Sequence, residues 1–190
     1  MPLTADEIER CALGILDRYG LGDLSMRRIA ATLDVAPGAL YWHVPNKQQL
    51  LIRLARRIVG EPAPAAATAW AAGLTAWAHA LRSRLLAHRD GAELVSSAVA
   101  LAGPESGLDP AAAARALLRA AGFPQADATA AAETALHYVL GQTLAWQARD
   151  QFRGLGVVED APVPDSFDFG LTVIVDGLAA RYRPERPGVG

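Results

Sequence analysis

The sequence predicts an all-α protein in which a small three-helix head precedes a larger all-helical core. Three observations carry this. Of the 190 residues 52% are hydrophobic, many of them Ala and Leu, which lose little on entering a helix. Apolar residues recur at three- and four-residue spacing in one segment after another, with no convincing strand alternation. Glycine and proline clusters cut these segments to helix lengths, and the clearest break, Gly60-Glu61-Pro62-Ala63-Pro64, reads as a linker.

The elements follow in order. Thr4-Ala5-Asp6-Glu7 sets a hydroxyl three residues before a carboxylate, the capping-box arrangement that satisfies orphan amides at a helix start. Ile8, Cys11, Ala12, Ile15, Leu16 and Tyr19 then form one stripe, and Gly20 and Gly22 end the helix. Ser25 caps a second, short helix with Met26, Ile29, Ala30 and Leu33 facing inward. Asp34-Val35 make a tight turn, and Pro37 suits the first turn of a third helix running through Leu40 to about His43. Asn46 begins a fourth, with Leu50, Leu51, Leu54 and Ile58 along one side. Beyond the linker the pattern predicts helices over 66–88, 91–102, 110–121, 126–152 and 166–182, with a loop at Gly154, Gly156, Pro162 and Pro164. The division is a head over 1–46, a connecting helix and linker over 47–64, a core over 65–183 and a flexible tail over 184–190.

Composition excludes several classes. No run of about 18 uncharged apolar residues is present, so no span is expected, and Asp6, Glu7 and Glu9 argue against a leader. A lone Cys11 fits a reducing compartment and a small core residue, so a cytoplasmic protein is expected. Phosphate-binding glycine loops, nucleophile motifs and metal-spaced histidines are all missing; His79 and His88 stand nine residues apart. An enzyme, a cofactor and a metal site are therefore not expected.

Charge is uninformative in total and informative in distribution. Between residues 24 and 57 Arg27, Arg28, Lys47, Arg53, Arg56 and Arg57 face Asp34 alone, a net of +5 that leaves −7 for the rest of a chain whose total is −2. Such a patch is either a solvated helix face or the footprint of a polyanion site. The two short helices over 25–43, joined by a tight turn and flanked by helices, have the form of a helix-turn-helix, whose second member enters the major groove. Ile29, Ala30, Leu33, Val35 and Leu40 supply its small core, leaving Arg27, Pro37, Gly38, Ala39, Tyr41, Trp42 and His43 partly free. Tyr41, Trp42, His43 and Lys47 can all donate to phosphates. Arg27 either pairs with Asp23 or is open to DNA, and Arg56 and Arg57 read as solvated or inter-helix partners.

These residues carry a resemblance. Leu24-Ser25-Met26-Arg27-Arg28-Ile29-Ala30, Leu40-Tyr41-Trp42-His43-Val44 and Asn46-Lys47 resemble the DNA-binding head of the TetR family, in the version found in tetracycline repressors. In the core, Leu85-Leu86-Ala87-His88-Arg89-Asp90-Gly91-Ala92, His137-Tyr138-Val139-Leu140-Gly141, Phe169-Gly170-Leu171 and Asp176-Gly177-Leu178 match the same subfamily in order. The resemblance implies phosphate contacts from Ser25, Tyr41, His43 and Lys47, with Trp42 close to the DNA backbone. It puts Arg27 on a guanine and leaves Pro37, Gly38 and Ala39 to make apolar base contacts.

For the core, Leu136, Val139, Leu140 and Thr143 form one stripe with Leu144 and Gln147, and Phe167, Leu171, Ile174 and Leu178 another. An intramolecular core gives the same stripes; the resemblance makes them a four-helix homodimer interface, with Gly141, Gly170 and Gly177 allowing close approach. Trp70, Trp77, Leu81, Val95, Ala98, His137 and Tyr138, with Trp146, suggest an apolar, aromatic-lined effector cavity, with His137 and Gln142 as polar anchors. The alternative is that side chains fill it. Two residues that hold magnesium with the drug in tetracycline repressors fall at Val95 and Ala145, and a drug-binding asparagine at Trp77. Neither Val95 nor Ala145 offers oxygen to a hard cation. The expectation is a ligand-responsive regulator, a homodimeric repressor on a palindromic double-stranded DNA operator, answering to a small apolar or aromatic effector other than magnesium–tetracycline.

Overall fold

The computed structural model describes residues 3–60, 69–157 and 165–182, and among these it holds nine α-helices and no strand. The head comprises α1 (Ala5–Tyr19), α2 (Met26–Thr32) and α3 (Pro37–Tyr41), and α4 (Lys47–Val59) leads away from it. The core is α5 (Trp70–Leu86), α6 (Gly91–Leu101), α7 (Ala112–Ala120), α8 (Gln125–Gly154) and α9 (Phe167–Arg181). The expected linker at 61–64, the start of the fifth helix at 66, Pro162, Pro164 and the tail from 184 lie outside the described residues. No helix among the described residues is long and apolar enough to cross a membrane.

Helix starts follow local chemistry. The Glu7 amide donates to Thr4 Oγ1 (3.2 Å) while the Thr4 amide donates to Glu7 Oε2 (2.9 Å), closing the expected capping box. Ser25 Oγ accepts from the Arg28 amide (3.2 Å) and Asn46 Oδ1 from the Gln49 amide (2.8 Å), so both act as caps. Gly20 alone ends α1, at φ +89°, whereas Gly22 sits in a 3₁₀ turn over Leu21–Asp23. Helix α3 stops at Tyr41, two residues earlier than expected, and Trp42 and His43 occupy a turn. The Val44 amide still donates to the Leu40 carbonyl (2.8 Å), and Pro45, which disfavours helical geometry at Val44, bars any further turn.

Leu24, Ile29, Leu40 and Val44 are fully buried in the head. Leu33 and Val35, expected inside, are half-buried, because they flank Asp34, which turns the chain outward at φ +53°. In the core α6 is clasped between α4 and α8, and its Ala92, Leu94, Val95 and Ala98 have no exposed surface. Helix α8, 30 residues or ~45 Å long, also packs on α5, α7 and α9.

The turn between α5 and α6 joins head to core. Asp90 adopts a left-handed conformation at φ +55°; its Oδ2 accepts from the Leu21 amide of the head (2.7 Å), and its Oδ1 from Gln151 Nε2 of α8. His88 Nδ1 lies 3.0 Å from Asp17 Oδ1 of α1. Gly91 must be glycine, since a Cβ there would stand 2.3 Å from the Leu85 carbonyl oxygen. Gln147, only 7% exposed, satisfies both helix ends: Nε2 donates to the carbonyls of His88 (2.8 Å) and Leu85 (3.1 Å), and Oε1 accepts from the Ala92 amide (3.1 Å). Gln147→Leu orphans the buried Ala92 amide, at ~1–3 kcal/mol for an unsatisfied group, while the Leu85 and His88 carbonyls keep the His88 and Gly91 amides. Urea unfolding at fixed protein concentration is expected to show a loss of at least about 1 kcal/mol, against no change if water replaces the amide fully.

Candidate nucleic-acid interface and core site

The α2–turn–α3 segment presents the side chains singled out for DNA. Arg27, Pro37, Gly38, Tyr41, Trp42 and Lys47 are exposed, and Ser25, Ala39 and His43 are half-buried. Trp42 is 90% exposed, an extreme value for an indole, and Tyr41 is 49% exposed. Leu40, between them and Ala39, is buried and anchors the pair. Ser25 spends an acceptor site on the cap, which leaves its O–H as a donor.

The two adjacent arginines divide their work. Arg28, not Arg27, pairs with Asp23, and its guanidinium sits 3.9 Å from the centre of the Tyr19 ring. Among the described residues neither Arg27 nor Lys47 has an ion-pair partner. Arg27 is therefore the guanidinium available to a ligand of the head.

The basic segment is thus two clusters. Arg57 is 2.5 Å from Asp6, and Arg53 and Arg57 each stand 3.6 Å from Glu9. Hydrogen bonds from Arg57, then from Arg10, hold the Asp6 carboxyl below the usual carboxylate range. These α4 arginines face α1 and the core, as inter-helix partners.

The eight residues expected at the effector cavity do not meet around one described cleft. Leu81, Val95 and Ala98 are buried in close packing, and Trp70 and Trp77 are half-buried, Trp70 edge-on to Phe123 at 5.2 Å. His137 is exposed. Tyr138 docks α9 instead: its O–H lies 2.9 Å from the Phe167 carbonyl and 3.1 Å from that of Ser166, and burial pushes the phenol above its usual range. A Cβ at Gly170 would fall 2.3 Å from that hydroxyl, so Gly170 is the close-approach glycine; Gly141 and Gly177 have open space within one chain. Gln142 lines a cleft of about 280 Å³ with Ala145, Trp146, Arg82, Arg149 and Asp165, whose wall mixes apolar surface with arginines, Arg82 being paired with Asp165 at 2.8 Å.

Of the residues expected at a dimer interface, Leu136, Val139, Leu140, Thr143, Phe167 and Leu171 are buried within the single chain. The intramolecular alternative holds for these six; Ile174 and Leu178 are half-buried. The same two helices leave other apolar side chains in solvent: Phe169 at 74%, Val173 at 55% and Leu144 at 39% exposure. Sequence reasoning passed over Asp90, Gln147 and Gln151 as joint residues. Only Asp90 carried a signal, in the His88–Ala92 run noted as a likeness.

Comparison with known proteins gives one picture. The family described as "Bacterial regulatory proteins, tetR family" matches residues 11–54, and "Tetracyclin repressor-like, C-terminal domain" matches residues 62–156. Tetracycline repressor protein class A from transposon 1721 of Escherichia coli is 36% identical, with 94% of this chain and 92% of that protein covered. The crystal structure of Mycobacterium smegmatis BioQ superposes with a TM-score of 0.82 at 41% identity, covering 95% of this chain and 100% of that one. BioQ solved with its natural double-stranded DNA operator gives a TM-score of 0.76 at 42% identity, over 94% and 99%.

The arginine division is testable without DNA. Arg27→Ala is expected to leave urea stability within about 0.5 kcal/mol of the parent. Arg28→Ala, losing an ion pair and a cation–π contact, is expected to cost about 1 kcal/mol. Equal losses would contradict the assignment.

Proposed function

Because the chain belongs to the TetR family of DNA-binding transcriptional regulators, we propose that it is a homodimeric repressor whose α2–α3 surface reads a palindromic operator and whose core senses a small molecule. The observation that carries the reading is that one α2–turn–α3 segment holds a solvent-facing Tyr41-Trp42 and an exposed Arg27 with no ion-pair partner among the described residues. Arg27 reads a guanine through O6 and N7; Pro37, Gly38 and Ala39 make apolar base contacts; Ser25, Tyr41, His43 and Lys47 bind phosphates with Trp42 against the backbone. The DNA-bound BioQ structure, similar over nearly the whole chain, supports this use of the head.

A second copy docks on the outward face of α8 and α9, where Phe169, Val173 and Leu144 offer apolar surface and Gly141 and Gly177 leave room for close approach. Pairing sets two heads about 34–36 Å apart, the spacing of successive major grooves.

The effector is a small apolar or aromatic molecule that inserts near Trp77, Leu81, Val95 and Tyr138. Val95 and Ala145 leave a magnesium–tetracycline complex without oxygen ligands, so that drug complex is not the effector. Leu81, Val95 and Ala98 are closely packed in the chain as it stands, so binding requires the core to open. The effector releases DNA to the extent that it prefers the opened state.

A mobility-shift assay on the protein's own upstream intergenic DNA tests the head. The parent is expected to give a discrete shift that weakens steeply with salt. Arg27→Ala is expected to weaken it about tenfold or more, in line with the ~1–3 kcal/mol of a bidentate guanine contact. A folded protein with no shift at low salt would sink the reading.

A further inference from the structure

The α4 arginines line a second feature that DNA reading does not use. Arg53, Arg56 and Arg57 border a cleft of about 580 Å³ between head and core, opposite Gly107, Leu108 and Asp109. That volume is within the range small-molecule sites occupy.

The charges around it are unevenly matched. Arg57 is engaged by Asp6, and Glu9 is shared by Arg53 and Arg57 at 3.6 Å each, outside hydrogen-bond reach. Asp109 is taken by Arg115. Arg56 is exposed and has no ion-pair partner among the described residues; its Cζ would lie 3.7 Å from a Cβ built on Gly107. With Arg57 held by Asp6 and Asp109 by Arg115, two guanidiniums, Arg53 and Arg56, face one loosely held carboxylate, Glu9, while Val59, Leu108 and Ala112 give the cleft an apolar wall. Guanidinium forks match the geometry of carboxylate and phosphate, and a walled cleft with excess positive charge concentrates such anions.

We propose that this cleft binds a small oxyanion, a carboxylate or phosphate group, gripped by Arg53 and Arg56. The site spans α1 and α4 on the head side and residues 107–112 on the core side. An anion seated there ties α4 to the core. On the regulator reading, and only there, occupancy then changes operator affinity by the same factor by which DNA changes anion affinity.

The test is calorimetric titration of the full chain with inorganic phosphate and, separately, with butyrate, at ionic strength held constant with sodium chloride. At least one probe is expected to bind saturably at one site per chain. Arg56→Gln is expected to weaken it tenfold or more, and Arg149→Gln, in the Gln142 cleft, to leave it unchanged. Binding of phosphate alone assigns a phosphate head group; binding of butyrate alone assigns a carboxylate on an apolar body. Heats no larger than those of chloride for both probes, or parent-like binding by Arg56→Gln, would overturn the proposal. A mobility shift of the parent protein reports on the regulator reading separately, since anion binding is measured without DNA.

Discussion

The fold depends on one turn whose backbone and side chains face three ways. Asp90, held at φ +55° between α5 and α6, accepts from the Leu21 amide of the head and from Gln151 of α8. Its neighbours extend the same joint, with His88 on Asp17 and the Gln147 amide spanning the end of α5 and the start of α6. The head is small, and its buried residues in α2 and α3 form a thin layer. Its position relative to the core is fixed by α4 packing on α6 and by this turn. A displacement of α8 acts on both at once, since α6 lies between α8 and α4.

Fixing the head leaves its α2–α3 surface free of structural duty. The cations that hold helices together, Arg28, Arg53 and Arg57, have carboxylates within reach. Among the described residues Arg27 on α2 and Lys47 at the start of α4 do not. Net charge over residues 24–57 therefore overstates the charge available to DNA, and the nature of each partner decides which part remains. An indole at 90% exposure has a similar logic: it contributes nothing to the head's interior and is available to a partner.

The sequence made the head legible because its signals are local. A capping box, two polar caps and a positive-φ glycine act within four residues of the groups they satisfy, and all stand where the spacing puts them. The end of α3 falls two residues short of the expected one, with Trp42 and His43 in a turn closed by the Val44 amide on the Leu40 carbonyl. In the core, periodicity located helices but not their partners. Leu136, Val139 and Leu140 give the same stripe whether the facing helix belongs to the same chain or another, and the single chain already buries them. Tyr138 was read as a pocket aromatic, yet its hydroxyl serves α9, a contact 29 residues away that no local pattern encodes. Gln147 was placed on the α8 stripe, but its role was hidden for the same reason: the helix ends it caps lie at least 55 residues away.

The most direct test of the joint is amide hydrogen exchange at Leu21 in Gln151→Ala. Gln151 donates to Asp90, which in turn holds the Leu21 amide of the head. If Asp90 couples α8 to the head, Leu21 exchanges several-fold faster in the variant while Gly20, bonded to the Leu16 carbonyl at 2.8 Å, keeps its protection. Unchanged exchange at Leu21 would show that the head is held independently of α8 and would contradict the account.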